Sequence, residues 1–176
     1  MKQNGVIDRF NSMRRHRIEP NLGQESVWDY PRPPRLEQCG KDIRIIASGV
    51  SIVETTESFR VLETSHPPVF YFHPDYIRMD LMRIEAAGSF CEWKGHAHYY
   101  SLHLPDRAIR NAAWIYETPT PRFGQIAGHL AFYPGKMDEC YVDDELVTAQ
   151  SGDFYGGWIT SDIVGPFKGG PTTLGW

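Results

Sequence analysis

The chain has 176 residues, a formal net charge of −4, 41% hydrophobic and 13% aromatic residues. That length fits one domain whose core can stand without disulfide or metal staples. The mild negative charge excludes a global field that draws the protein to nucleic acid or to an anionic membrane, and no apolar run approaches the ~20 residues of a membrane span. Sixteen Gly and thirteen Pro beside a high aromatic share predict many turns and few long helices. The expected fold is mostly β with one or two short helices, a compact antiparallel, barrel-like sheet arrangement.

Three cysteines, Cys39, Cys91 and Cys140, stand far apart with no Cys-x-x-Cys pair. This argues against a disulfide framework and a structural zinc site. Free thiols fit a reducing compartment, and the first residues, MKQNGVIDRF, lack a hydrophobic signal core, so the expected location is cytoplasmic.

Residues 1–35 read as an extended arm. Arg9, Arg14, Arg15 and Arg17 cluster around His16, and Asp29-Tyr30-Pro31-Arg32-Pro33-Pro34-Arg35 forces polyproline-like backbone. Trp28 and Tyr30 are placed to pin the arm on the domain; a docking motif for a partner's aromatic groove is the alternative. Residues 36–147 read as the β domain. Ile43–Ala47 and Val50–Thr55 flank the turn pair Ser48-Gly49, a hairpin signal. Phe59–Leu62 and Val69–Phe72 are strands separated by the Pro67-Pro68 bend. His73–Ile77 reads as one helical turn, and Arg78–Ile84 is ambiguous between helix and strand.

Ser89–Leu104 reads as the longest strand. Cys91, Trp93, Gly95, Ala97 and Tyr99 fall on one face, and Glu92, Lys94, His96, His98 and Tyr100 on the other. Gly95 is the expected bulge site, and the register changes after Ser101. Asn111–Tyr116 is a further strand with Trp114 and Tyr116 on one face. A short helix is predicted around Phe123–Gly128 with Thr120 or Pro121 at its start, followed by Leu130–Tyr133. A second hairpin joins Cys140–Val142 to Glu145–Val147 through Asp143-Asp144. Residues 148–176 read as a Gly- and aromatic-rich tail laid on the domain and anchored by Phe154, Tyr155, Trp158 and Phe167.

The phosphate-cradling glycine motifs, the Gly-x-Ser-x-Gly elbow and His-Glu-x-x-His are absent. His96 and His98 share a strand face that reads as solvated surface, and neither metal nor cofactor is expected. Glu63 and Lys94 stand where apolar segments meet unusual backbone, so their ionisation is open to tuning. Trp93, Trp114 and Tyr116 converge on one apolar surface, either core or the wall of a pocket. The candidate ligand-binding set is Trp93, Lys94, Trp114, Tyr116 and Glu63. The candidate catalytic set is Glu63, His66, Lys94 and Cys91, the last as a nucleophile needing a base such as His66.

Several strings, in order, resemble the family named domain of unknown function 427. They are Val61–Tyr71, Cys91–Tyr100, Ala113–Tyr116, Ala131–Tyr133 and Val142–Glu145, and the Ser26–Pro34 arm is similar to longer members. The resemblance implies a small, mostly antiparallel β fold near the β-tent group, which includes methionine sulfoxide reductase B domains and the thalidomide-binding domain of cereblon. The paired Cys-x-x-Cys zinc motif of many β-tent members is missing here, so that zinc is not expected. A nucleotidyl-transfer role also lacks support: it needs carboxylates on Mg²⁺ and a phosphate loop, and Asp143-Asp144-Glu145 reads as a turn.

The resulting expectation is a small-molecule-binding β domain with an aromatic-lined pocket. The alternatives are an enzyme using Glu63, His66 and Lys94 in acid–base roles, or an interaction module acting through arm and tail. Expected partners are a small-molecule ligand and, through arm and tail, a second copy in a homodimer, with neither nucleic acid nor membrane.

Overall fold

The computed structural model describes residues 16–173 and 176. Arg9, Arg14 and Arg15 of the basic cluster lie outside the described residues; Arg17 forms ion pairs with Glu19 and Asp29.

Fifteen short strands and six 3₁₀ turns make up the described chain: β1 (Glu25–Ser26), β2 (Arg35–Cys39), β3 (Ile43–Ala47), β4 (Val50–Thr55), β5 (Ser58–Leu62), β6 (Val69–Tyr71), β7 (Met82–Cys91), β8 (Gly95–His103), β9 (Ala108–Ile115), β10 (Leu130–Phe132), β11 (Glu139–Val142), β12 (Glu145–Leu146), β13 (Thr148–Ala149), β14 (Trp158–Ile159) and β15 (Ile163–Val164). The fold is mostly β, with several antiparallel sheets that do not close into a barrel. A meander in the order β10-β9-β8-β7 and a sheet in the order β12-β11-β3-β4 enclose the main core, which holds Ile43, Ile45, Phe72, Leu102, Phe132 and Trp158. A third sheet, β2-β5-β6, abuts the meander through the bridge between Phe72 and Leu130. Only β1 and β15 pair in parallel.

Both hairpins form at their turn pairs. Ser48 and Gly49 have φ of 50° and 70°, and Asp143 and Asp144 have 49° and 65°. Positive φ at both central residues gives the turn the right-handed twist its strands need. The register change after Ser101 is also present: the β8–β9 pairing skips between Tyr100 and Leu102, and the Ser101 hydroxyl accepts a hydrogen bond from the Asn111 N–H at 3.1 Å. The ambiguous stretch resolves into a 3₁₀ turn at Met79–Leu81 and the start of β7.

Ser89–Leu104 is not one strand. The chain reverses at Glu92-Trp93-Lys94, so Cys91 pairs with Gly95 across the hairpin of β7 and β8. Gly95 is therefore not a mid-strand bulge. Its φ of +97° lies where a side chain is strained, and it lets the chain re-enter the sheet after the three-residue turn. The alternation of polar and apolar residues continues through the turn, which is why the reversal leaves no trace in the pattern.

The tail also differs from expectation at one position. Trp158 is 1% exposed and packs on Phe70 and Phe72, whereas Phe154 is 65% exposed at the tip of the β13–β14 loop. Phe154 is no core anchor: it stays exposed, with its ring 5.0 Å from that of Tyr155. No described helix is long and apolar enough to cross a membrane.

Candidate functional site

The second hydrophobic cluster, formed where β5 and β6 meet the meander, includes Val61, Tyr71, Trp114, Tyr116 and Tyr133. Beside it opens a cavity of about 430 Å³. All seven candidate residues line it: Glu63, His66, Cys91, Trp93, Lys94, Trp114 and Tyr116. Three separate segments bring them together, and a fourth lies over them.

The first segment is Glu63–His66, between β5 and β6. Ser65 takes a φ of 70°, the His66 N–H bonds the Glu63 carbonyl at 3.0 Å, and the resulting turn is held from two sides. From the arm, Val27 C=O accepts the Ser65 N–H at 3.0 Å and Tyr30 C=O accepts the Thr64 hydroxyl at 2.6 Å. From the tail, the Lys168 N–H donates to Ser65 C=O at 2.9 Å. The arm holds its place because Val27, Trp28 and Tyr30 are 0%, 2% and 5% exposed.

The second segment is the tip of the β7–β8 hairpin, which carries Cys91, Trp93 and Lys94. Thr120 fixes it: its hydroxyl donates to Trp93 C=O at 2.6 Å, and its N–H to Lys94 C=O at 3.2 Å. Thr120 does precede the 3₁₀ turn Pro121–Ile126, yet it makes no side-chain cap because its hydroxyl is taken by the hairpin.

Trp114 and Tyr116, at the end of β9, form the third segment. The Trp114 indole N–H donates to the Tyr71 hydroxyl at 3.3 Å, and its ring lies 4.5 Å from that of Tyr133. Burial pushes the Tyr71, Tyr116 and Tyr133 phenols well above the usual range, so all three remain neutral. The last segment is the β13–β14 loop with Gln150, Tyr155 and Gly156. A Cβ on Gly156 would sit 2.3 Å from Cη2 of Trp114, so only glycine lets the loop lie over that ring.

His66 is 7% exposed, and its protonation state follows from its neighbours. Gln150 has a fixed amide orientation: its Oε1 accepts the Gly157 N–H at 3.1 Å and its Nε2 donates to Lys168 C=O at 2.7 Å. The same Nε2 lies 3.2 Å from His66 Nδ1, which must therefore accept. The imidazole proton then sits on Nε2. Burial lowers the His66 pKa from 6.5 to about 4; the Glu63 carboxylate opposes this, and Lys168, Arg32 and Lys94 reinforce it. His66 is thus neutral at pH 7, a hydrogen-bond donor through Nε2.

Lys94 is 8% exposed, with Nζ 5.7 Å from the Tyr116 ring centre and 5.6 Å from that of Phe123. Glu63 does not pair with it; its carboxylate accepts from Arg32 at 2.9 Å. Cys91 lines the cavity, while burial pushes the Cys140 thiol up to about 12, removing it from thiolate chemistry.

Sequence reasoning missed Arg32, Tyr71, Tyr99, Tyr133, Gln150 and Lys168, which also line the cavity. They come from the arm, the strands β6 and β8, the residue after β10 and the tail, and no local pattern links them. A second, wider depression around His73 and His129 is lined largely by polar side chains that pair among themselves, such as Tyr76 with Glu57 at 2.7 Å. Among the described residues no three His, Cys, Asp or Glu side chains gather as a metal site, and His96 and His98 are exposed on β8.

No curated protein matches the chain in sequence. The family model described as a domain of unknown function, DUF427, matches residues 35–143, from the first residue of β2 to the turn after β11, and the chain belongs to that family.

Proposed function

We propose that this protein binds a small molecule in the aromatic cavity, with Trp93, Trp114 and Tyr116 as its apolar wall and Glu63, His66 and Lys94 as its polar groups. The observation that carries this reading is convergence. Four segments far apart in sequence meet around about 430 Å³, within the ordinary range of ligand pockets, and aromatic rings share the wall with several charged and polar side chains.

Acid–base catalysis by His66 has weaker support. With Nδ1 occupied by Gln150 and the proton on Nε2, the ring offers no lone pair; a pKa near 4 leaves no imidazolium to act as an acid at pH 7. The Pro-rich part of the arm as a docking peptide is also disfavoured, since Trp28 and Tyr30 are buried on the domain.

A thermal-shift screen against a diverse metabolite library tests the proposal, with Trp93→Ala as control. A ligand at a hundred times its Kd adds roughly 2.7 kcal/mol and raises Tm by about 5–10 °C for a domain of this size. Trp93 is only partly buried, so its truncation leaves the fold standing and abolishes the shift. A library without a single shift, or hits that Trp93→Ala retains in full, would refute the cavity as the binding site.

A further inference from the structure

The cavity lining includes hydrogen-bond donors without an acceptor. Lys94 is the clearest case. The residue is 8% exposed, and among the described residues its ammonium has no hydrogen bond and no carboxylate within 4.0 Å. The rings of Tyr116 and Phe123 attract the cation but accept none of its three N–H bonds. An unpaired cation on a largely buried side chain is stabilised by an acceptor that reaches it.

Two further residues of the same lining carry an N–H. The indole N–H of Trp93 is buried with no acceptor. His66, with Nδ1 taken by Gln150, presents Nε2–H. The carboxylates do not offset these groups. Glu63 is already paired with Arg32, and Glu92 is exposed at the rim. Arg32 is consumed by that pair, and Lys168, whose ammonium donates to Trp176 C=O at 2.6 Å, adds positive charge at the wall.

We propose that the ligand is an oxyanion, a carboxylate or phosphate, carried on a planar apolar body. Its charged group pairs with Lys94 and takes the Trp93 indole N–H as a second donor. Its ring lies against Trp114, Tyr116 and Tyr99. The proposal rests on the cavity reading of the previous subsection and narrows it to a ligand class.

Isothermal titration of the full chain with 2-naphthoate, 2-naphthyl phosphate and the neutral 2-naphthamide tests it. Lys94→Met serves as the variant, because Met keeps the length and suits the space between two rings. At least one anion is expected to bind about 10- to 100-fold more tightly than the amide, the range of a charge-assisted hydrogen bond. Which anion it is separates carboxylate from phosphate. Lys94→Met is expected to bring that anion down to the level of the amide, and Trp93→Phe, which keeps a ring but removes the N–H, to weaken it about 10-fold.

The inference is overturned if the amide binds as tightly as both anions, or if Lys94→Met leaves the anion's affinity unchanged. It is also overturned if none of the three binds at millimolar concentration. Neutral library hits that Trp93→Ala abolishes would then leave the cavity reading standing, and a silent library would remove both.

Discussion

The buried, neutral His66 makes stability depend on pH in a way that can be worked out in advance. Its pKa falls from 6.5 in the unfolded chain to about 4 in the folded protein, with burial as the main cause. Between those values the unfolded chain binds the proton and the folded one does not. Stability is therefore complete above pH 6.5 and lost as pH falls towards 4. The loss attributable to this one group is about 2 kcal/mol at pH 5 and about 3 kcal/mol at pH 4. The comparison is with His66→Asn, whose side-chain oxygen can still accept from Gln150 but does not titrate. Urea denaturation of both proteins at pH 7.5, 6, 5 and 4 cancels the carboxylates common to the two. The wild type should lose stability faster than the variant over this window, by the stated amounts. A difference that stays constant with pH, or one of the opposite sign, would refute the assignment of His66 as a buried neutral donor.

Other consequences follow from packing. Gly156→Ala forces a methyl group into the Trp114 ring and should cost about 1–3 kcal/mol in chemical denaturation, with a change in tryptophan emission. Trp28→Ala empties a site that is 2% exposed and should lower stability by about 3–5 kcal/mol; because the arm holds Ser65 and Thr64, hydrogen exchange at His66 should accelerate as well. Thr120→Val removes the hydroxyl bond to Trp93 C=O and should cost about 1 kcal/mol, with faster exchange confined to the β7–β8 tip.

The local elements were legible where a single turn decides them. Ser48-Gly49 and Asp143-Asp144 tolerate left-handed backbone, and β-branched and aromatic runs beside them left one pairing open. The step after Ser101 was legible because the apolar positions change parity there. The reversal at Glu92-Trp93-Lys94 was not, since a three-residue turn with an apolar ring at its centre prolongs the alternation of its flanking strands. Its consequence for the site is direct: Cys91, Trp93 and Lys94 lie together at a hairpin tip rather than on opposite faces of one strand. The aromatic wall was half visible, because Trp114 and Tyr116 share a strand face while Tyr133 and Tyr71 arrive from other strands. Gln150 and Lys168 carried no local signal; they act through backbone groups of the tail, and only tertiary contact brings them to His66.

The most direct test of the ligand cavity reads Trp93 itself. Of the five tryptophans, Trp93 has a buried indole N–H without an acceptor, whereas that of Trp158 is bonded to Phe132 C=O at 3.4 Å and that of Trp114 to Tyr71. Proton–nitrogen spectra of indole-labelled protein, with the Trp93 signal assigned through Trp93→Phe, are recorded with and without 2-naphthoate or the tightest compound from the screen. The account predicts that the Trp93 indole proton moves downfield as it gains an acceptor, while the Trp158 signal stays in place. A ligand that binds yet leaves the Trp93 signal unmoved and shifts Trp158 would contradict it.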